Sequence, residues 1–443
     1  MRRAFPAADD NYRETRRWGA GPFFMYARIE KFLSRTMKRG TLEIIDASGK
    51  LHKYGDGTGT PVRLRFTSED AERNVANNPD LKLGEEYVDQ GIRIEQGTLY
   101  DFLMVLFDNI EGVIPPWPVV MRAVWRYINR RRDQANTMSR SRHNVHSHYD
   151  LDGRLYRLFL DADMQYSCAY FEDGVTSLDE AQLAKKRHIA AKLDLKPGQR
   201  ILDIGCGWGG LGLYIAEHFD VEVTGVTLSD EQFAVANQRA EERGLSKRAR
   251  FLLQDYRKVE GPFDRIVSVG MFEHVGVGHF REYFSHVKRL LTPDGTMLLH
   301  SIGRSGTPGY TSAWIQKYIF PGGYIPSVSE VVPVIEKSGL YLTDMEILRL
   351  HYAKTLRAWH ERFMAHREQV LTFFDERFIR LWDFYLTASE VAFRTGAMDN
   401  FQIQLSKKLD ALPLTRRYMV DAEDALRRKE SSAERSPVRI AGE

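Results

Sequence analysis

RILDIGCGWGGLG, from Arg200 to Gly212, spells a strand, a glycine turn and the start of a helix. Ile201, Leu202 and Ile204 make a short apolar run, and Gly205, Gly207, Gly209 and Gly210 follow in close succession. A helical pattern continues through Leu211, Leu213, Tyr214, Ile215 and Ala216. Glycines at such a turn allow positive φ and let a ligand lie against bare backbone, while the helix start offers unpaired N–H groups. A dinucleotide site spaces its glycines G-x-G-x-x-G and wants an acid further on, and a P-loop carries a lysine. Here Asp203 precedes the turn and no such lysine is present. An acid in that place holds a cationic amine and repels a pyrophosphate. The D-x-G-x-G-x-G pattern therefore favours S-adenosylmethionine, which has an ammonium, a sulfonium and no phosphate. The plainer alternative is a glycine-rich strand–helix turn with no ligand.

Outward from this turn, residues 200–204, 222–227, 249–253, 264–269 and 296–301 read as strands with helical patterns between them. That alternation predicts an α/β fold with a doubly wound, mostly parallel sheet and a ligand over the carboxyl ends of its strands. Toward the N-terminus the pattern changes. A helix over 23–39, a hairpin around Ser48-Gly49, a strand over 62–66, a helix capped by Ser68, a turn and strand over 84–94 and a helix over 97–109 predict a small α+β domain. The expected boundaries are a flexible leader at 1–20, the small domain at 21–112, a connector at 113–143, the larger domain at 144–426 and a flexible tail at 427–443. The connector holds a predicted helix over 119–132 with Val120, Val124, Trp125 and Ile128 on one side. It also carries Arg122, Arg126, Arg130, Arg131 and Arg132, with Arg140 and Arg142 beyond. That composition fits an anionic membrane surface or a solvated interdomain helix.

With 443 residues the chain has room for two domains, and 43% hydrophobic content excludes wholesale disorder. A net charge of +3 argues against nucleic acid as a partner. Cys168 and Cys206 sit in unlike contexts and suit a reducing, cytoplasmic compartment. The first residues lack the apolar core of a signal peptide, and the most apolar window, Leu99 to Met121, is broken by acids and prolines. Any membrane contact is thus expected to be peripheral, at the inner face.

Several side chains fall at the expected strand ends. Thr227 and Gln232 are placed for ribose hydroxyls, with an ordinary helix cap by Ser229 as the competing reading. Asp255 is placed to accept from an adenine amino group and Tyr256 to lie beside the ring; a loop capped by Asp255 is the alternative. Glu273 and His274 follow the next strand, and His300 and Ile302 end the one after. Each alone reads as a structural contact, and their meeting at neighbouring strand ends raises them to candidates. The aromatics of WIQKYIFPGGYIPS and HYAKTLRAW read as core or lid.

The segments YSCAYF (166–171), LDIGCGWGG, GVTLSDEQ, QDYR, GMFEHVG, LHSIG, KYIFPGGYIPS and HYAKTL occur in this order. Over about 144–416 the chain resembles the cyclopropane-fatty-acyl-phospholipid synthases and the related mycolic acid cyclopropane synthases. The N-terminal part resembles the extra domain of the phospholipid enzymes. The resemblance implies a class I methyltransferase fold and transfer of a methylene group from S-adenosylmethionine to a cis double bond of a phospholipid acyl chain. It implies a carbocation deprotonated with the help of a bound bicarbonate, held by Cys168, Glu273, His300, Ile302 and Tyr352, with Cys168 and Ile302 offering mainly backbone groups. Cofactor contacts are implied at Tyr166, Ser167, Asp203, Gly205, Gly207, Thr227, Gln232 and Asp255. A phospholipid bilayer is the implied partner, a homodimer is possible, and no metal is called for. Ala388 and His360 depart from residues seen in relatives, Cys and Tyr. A methyl-branched or methylenated product is the alternative outcome. A lipid carrier and a small-molecule methyltransferase are weaker readings, given the Glu273, His300 and Tyr352 set and the added domain.

Overall fold

A computed structural model describes residues 24–110, 117–134, 136 and 153–435. The expected leader, Arg140, Arg142 and the expected domain start at Asn144 lie outside the described residues. The described chain forms two compact units. Residues up to Trp125, with Ser312–Trp314 and Phe363–Val391, make the first; the remainder makes the second.

The first unit holds a sheet of β1 (Thr41–Ile45), β2 (Leu51–Gly55), β3 (Val62–Phe66) and β4 (Ile92–Gln96) in the order β2-β1-β3-β4. β1 and β2 form the expected hairpin, and Asp46 holds its turn by accepting from Ser48 N and Lys50 N at 2.9 and 3.0 Å. Ser68 caps helix Glu69–Asn77 through Ala71 N. Helix Pro79–Val88 runs through residues expected to turn, and only then does β4 begin. Gly84 looked like a turn residue; a Cβ there would lie 2.6 Å from the Trp314 ring, so it is a packing glycine. Trp314 in turn packs on Phe384 at 4.8 Å, and Tyr87 donates to Asp383 at 2.5 Å. These contacts draw residues 312–314 and 363–391 to the small unit, although the sequence reading put them in the larger domain.

The second unit is built on β5 (Arg200–Ile204), β6 (Glu222–Thr227), β7 (Ala249–Leu253), β8 (Phe263–Val269), β9 (Leu291–Arg304), β10 (Tyr341–Ile347) and β11 (Met398–Ser406). Their order is β10-β11-β9-β8-β5-β6-β7. β7, β6, β5, β8 and β9 run parallel, whereas β11 is antiparallel to both β9 and β10. Alternate residues serve opposite faces: Ile266, Met297 and Leu299 join one apolar cluster, Val267 and Leu298 the other. After β5 the chain winds to β6 and β7 on one side, then returns to β8 and β9 on the other. The switch point therefore lies at the carboxyl ends of β5 and β8, where open α/β sheets bind ligands.

Two expectations need correction. Residues 427–435 are not a loose tail but the end of helix Arg417–Arg435, held where Glu430 accepts from Arg187 at 2.7 Å and from Tyr214 at 2.6 Å. Helix Trp117–Asp133 does not present all its arginines to solvent. Arg126 donates to Thr311 O and Gln316, and Arg130 pairs with Glu330 at 3.2 Å. Trp117, Met121, Val124, Trp125, Tyr127 and Ile128 are its exposed large apolar side chains, Trp117 by 71% and Ile128 by 70%. No helix among the described residues is long and apolar enough to cross a membrane.

Candidate active site

The glycine turn sits at the switch point. Gly205, Gly207 and Gly209 have φ of 82°, 54° and 82°, a region costly for other residues. A Cβ on Gly205 would lie 2.8 Å from Met271, and one on Gly209 2.9 Å from Ala236, so those two glycines allow close packing. A Cβ on Gly207 would meet nothing within 4 Å; that glycine faces open space. The space is a cavity of about 160 Å³. Tyr166, Ser167, Asp203, Gly205, Gly207, Thr227, Gln232, Asp255 and Tyr256 all line it.

Asp203 is 2% exposed, and its Oδ2 has no partner. Burial raises its pKa to about 7, against a lowering influence of Lys185. Thr227 donates to Gln232 Oε1 at 2.8 Å, and Ser229 caps the following helix, as the helix-cap reading expected. Asp255 caps its loop through Arg257 N and also takes the Arg257 guanidinium, at 2.6 Å from Nη2. Burial pushes Asp255 upward, but the Arg257 contacts outweigh it and leave the carboxyl below its usual range. The Tyr166–Ser167 segment is fastened from behind. Lys185 donates to Gln165 and Ser167, Gln182 donates to Ser167 O, and Arg239 joins Asp163 to Trp208 O.

A second group lies outside that cavity's walls. Glu273 Oε1 accepts from Ile302 N at 2.6 Å, and its carbonyl accepts from Tyr324 N. Glu273 Oε2 is buried with no partner. Burial raises the Glu273 pKa to about 7, tempered by the Ile302 bond. His300 is 1% exposed and is held far below its usual range by burial, so the ring is neutral. Its Nδ1 meets Gln402 Nε2 at 3.0 Å, while Gln402 Oε1 accepts from Lys192 at 2.7 Å. Lys192 can only donate, which fixes the amide's direction and makes His300 Nδ1 the acceptor. The His300 proton therefore sits on Nε2, a buried atom without a partner.

Cys168 and Tyr352 belong to an adjoining layer. Ala169 N donates to Thr355 and Phe171 N to His351, fastening 168–171 to helix His351–Ala365. Burial pushes the Cys168 thiol up and keeps it protonated. Tyr352 packs on Trp359 at 5.8 Å and Phe393 at 4.8 Å. Trp359 continues to Tyr166 at 5.0 Å, Tyr166 to Tyr156 at 5.3 Å, and Tyr156 to Trp208 at 4.9 Å. One aromatic row thus runs from the glycine turn to Tyr352. Glu273 and Ile302 touch directly and His300 stands two residues earlier on β9, whereas Cys168 and Tyr352 are tied to helix His351–Ala365 and to the aromatic row. His274, flagged beside Glu273, lines the cofactor-sized cavity instead, and burial lowers its pKa to about 4.

Residues 136–403 match the mycolic acid cyclopropane synthetase family. The chain belongs to that family. Cyclopropane-fatty-acyl-phospholipid synthase of Escherichia coli strain K12 is 40% identical over 350 residues, covering 79% of this chain and 89% of that relative. Tuberculostearic acid methyltransferase UfaA1 of Mycobacterium tuberculosis is 35% identical over 382 residues, covering 80% and 87%. The crystal structure of mycolic acid cyclopropane synthase CmaA1 complexed with SAH and CTAB is 38% identical, with a TM-score of 0.57 over 60% of this chain and 98% of that one. Membership fits the class I methyltransferase sheet described above. Sequence reasoning missed Lys185, Trp208, Arg257, Met271 and the Lys192–Gln402 pair. Trp208, Arg257 and Met271 did give a signal, lying inside the segments LDIGCGWGG, QDYR and GMFEHVG.

Proposed function

We propose that this S-adenosylmethionine-dependent methyltransferase builds cyclopropane rings on cis double bonds of unsaturated phospholipid acyl chains. The cosubstrate lies in the cavity at the glycine turn, with its ammonium at Asp203, its ribose at Thr227 and Gln232 and its adenine at Asp255 and Tyr256. The alkene attacks the sulfonium methyl, leaving S-adenosylhomocysteine and a carbocation. The cation loses a proton from the new methyl group, and the carbon so freed closes the ring. An alkene is a weak nucleophile, so positioning and exclusion of water carry much of the rate. The aromatic row from Trp208 to Tyr352 offers π faces to a passing cation.

The observation that carries this reading is the pair of buried, unpartnered atoms at one strand end, Glu273 Oε2 and His300 Nε2. Buried polar atoms are seldom left so, and an oxyanion between them satisfies both. His300 offers Nε2–H, and Glu273, with its pKa near neutrality, offers a shared proton instead of a second bare charge. These residues fit a bicarbonate, with the backbone of Cys168 and the side chain of Tyr352 as further contacts and the Ile302 N–H, already given to Glu273, orienting that carboxyl. When bound, that ion supplies the base for deprotonation.

The lipid surface is met by the exposed apolar row of helix Trp117–Asp133. Residues 117–132 contain no acid, and exposed Arg131 and Arg132 flank the row's end, which suits an anionic bilayer. Lipid mass spectrometry of expressing cells tests the chemistry. A gain of CH₂ with loss of ozone reactivity supports the ring. The relative UfaA1, a tuberculostearic acid methyltransferase by name, favours the second reading, a branched or methylenated chain. Retained ozone reactivity, or a gain of CH₄, would establish that second reading.

A further inference from the structure

Helix Leu178–Lys192 places a lysine in the wall of the cosubstrate cavity that no motif accounts for. Lys185 is 1% exposed. Its Nζ donates to Gln165 Oε1 at 2.7 Å and to Ser167 Oγ at 2.8 Å, and among the described residues it has no ion-pair partner. Burying an ammonium with no carboxylate bonded to it is expensive, even with Asp161 near enough to favour its charge. The cavity therefore carries two unlike charged corners. Asp203 presents an unpartnered oxygen at one, and Lys185 with Ser167 stands at the other. That is the complement of a zwitterion.

We propose that Lys185 is the positioning residue for the carboxylate end of the cosubstrate's amino-acid moiety, acting through Ser167. The chemistry of the hydroxyl supplies the link. A serine oxygen that accepts from an ammonium has its own hydrogen left to donate, and an ammonium can never take that hydrogen. Lys185 thereby commits Ser167 to donating into the cavity and adds a positive field behind it. Asp203 takes the ammonium two bonds away along the same moiety. Burial lowers the Lys185 pKa to about 8, while Asp161 raises it, so the charge persists at neutral pH. This inference rests on S-adenosylmethionine being the cosubstrate.

The test compares two ligands that differ in the amino-acid moiety. S-Adenosylhomocysteine carries it; 5′-methylthioadenosine lacks it. Lys185→Met keeps an unbranched chain in the buried helix and removes the charge together with the two hydrogen bonds that it donates. Isothermal titration of the full chain is expected to show S-adenosylhomocysteine binding weakened by roughly 10- to 100-fold, the worth of a charge-assisted hydrogen bond. Methylthioadenosine binding is expected to stay unchanged. Ser167→Ala should reproduce that split, and the double variant should lose no more than either single one. Equal weakening of both ligands, unchanged S-adenosylhomocysteine affinity, or additive losses in the double variant would each overturn the proposal. If the unaltered protein binds neither ligand, the cosubstrate reading itself fails.

Discussion

Replacing Glu273 with Gln should make the protein more stable and less active at once. The carboxyl is buried, with its pKa raised from 4.5 to about 7, chiefly by loss of water. A group whose folded pKa lies above its unfolded one favours folding at low pH, and that advantage disappears as pH climbs through the folded value. Between pH 5 and pH 8 the wild-type protein therefore gives up on the order of 2–3 kcal/mol at this one site. Gln keeps the Oε1 acceptor for Ile302 N but cannot ionise. Its amide nitrogen takes the place of the unpartnered Oε2, which costs something at every pH; the difference between two pH values removes that constant. Urea unfolding of both proteins at about pH 5 and pH 8 measures the quantity directly. The same samples, assayed for label transfer from S-adenosylmethionine to unsaturated vesicles, should lose roughly 10²–10⁴ in kcat with S-adenosylhomocysteine binding retained. A stability difference independent of pH would refute the buried-charge argument. Wild-type turnover would remove Glu273 from the mechanism.

Gln402→Leu breaks the contact that fixes the His300 proton on Nε2 and should lower kcat by about 10²-fold, the worth of one positioned donor; unchanged kcat would show that the tautomer is set elsewhere. Serine at Trp117, Trp125 and Ile128 should weaken co-sedimentation with anionic vesicles roughly tenfold or more, as apolar burial is lost. Arg130→Gln should instead cost about 1–2 kcal/mol of stability, since Glu330 loses its cation but keeps Tyr324 and Ser327 as donors, read by denaturant midpoint, with vesicle affinity retained.

The parts of the fold that sequence foretold share one property: their signal is written locally in the chain. β5 to β9 are apolar runs ended by turns, and the glycine turn encodes its own φ values. β11 escaped notice because Asn400, Gln402 and Gln404 are polar yet buried, bonded to residues far away such as Lys192. Helix Leu178–Lys192 hid its role for the same reason. Lys185, Arg187, His188 and Lys192 are polar or charged, yet all are buried, and Arg187 and His188 meet Glu430, Glu423 and Glu346 from distant segments. Asp255 was legible as a site position, while the Arg257 that occupies it was not. The N-terminal helix Pro79–Val88 was lost to one glycine whose reason, the Trp314 ring, lies in another stretch of chain.

The clasp between Arg187, His188 and the C-terminal helix also bears on synthesis. Glu423 and Glu430 leave the ribosome long after the glycine turn and the segment behind Ser167 have been made. Until then, on the ligand-facing helix, Arg187 has only Glu172, and His188 only Glu346, to meet its charge. Nascent chains stalled before residue 423 should therefore leave that helix loosely seated, and a ligand added during translation has no finished pocket to hold on to.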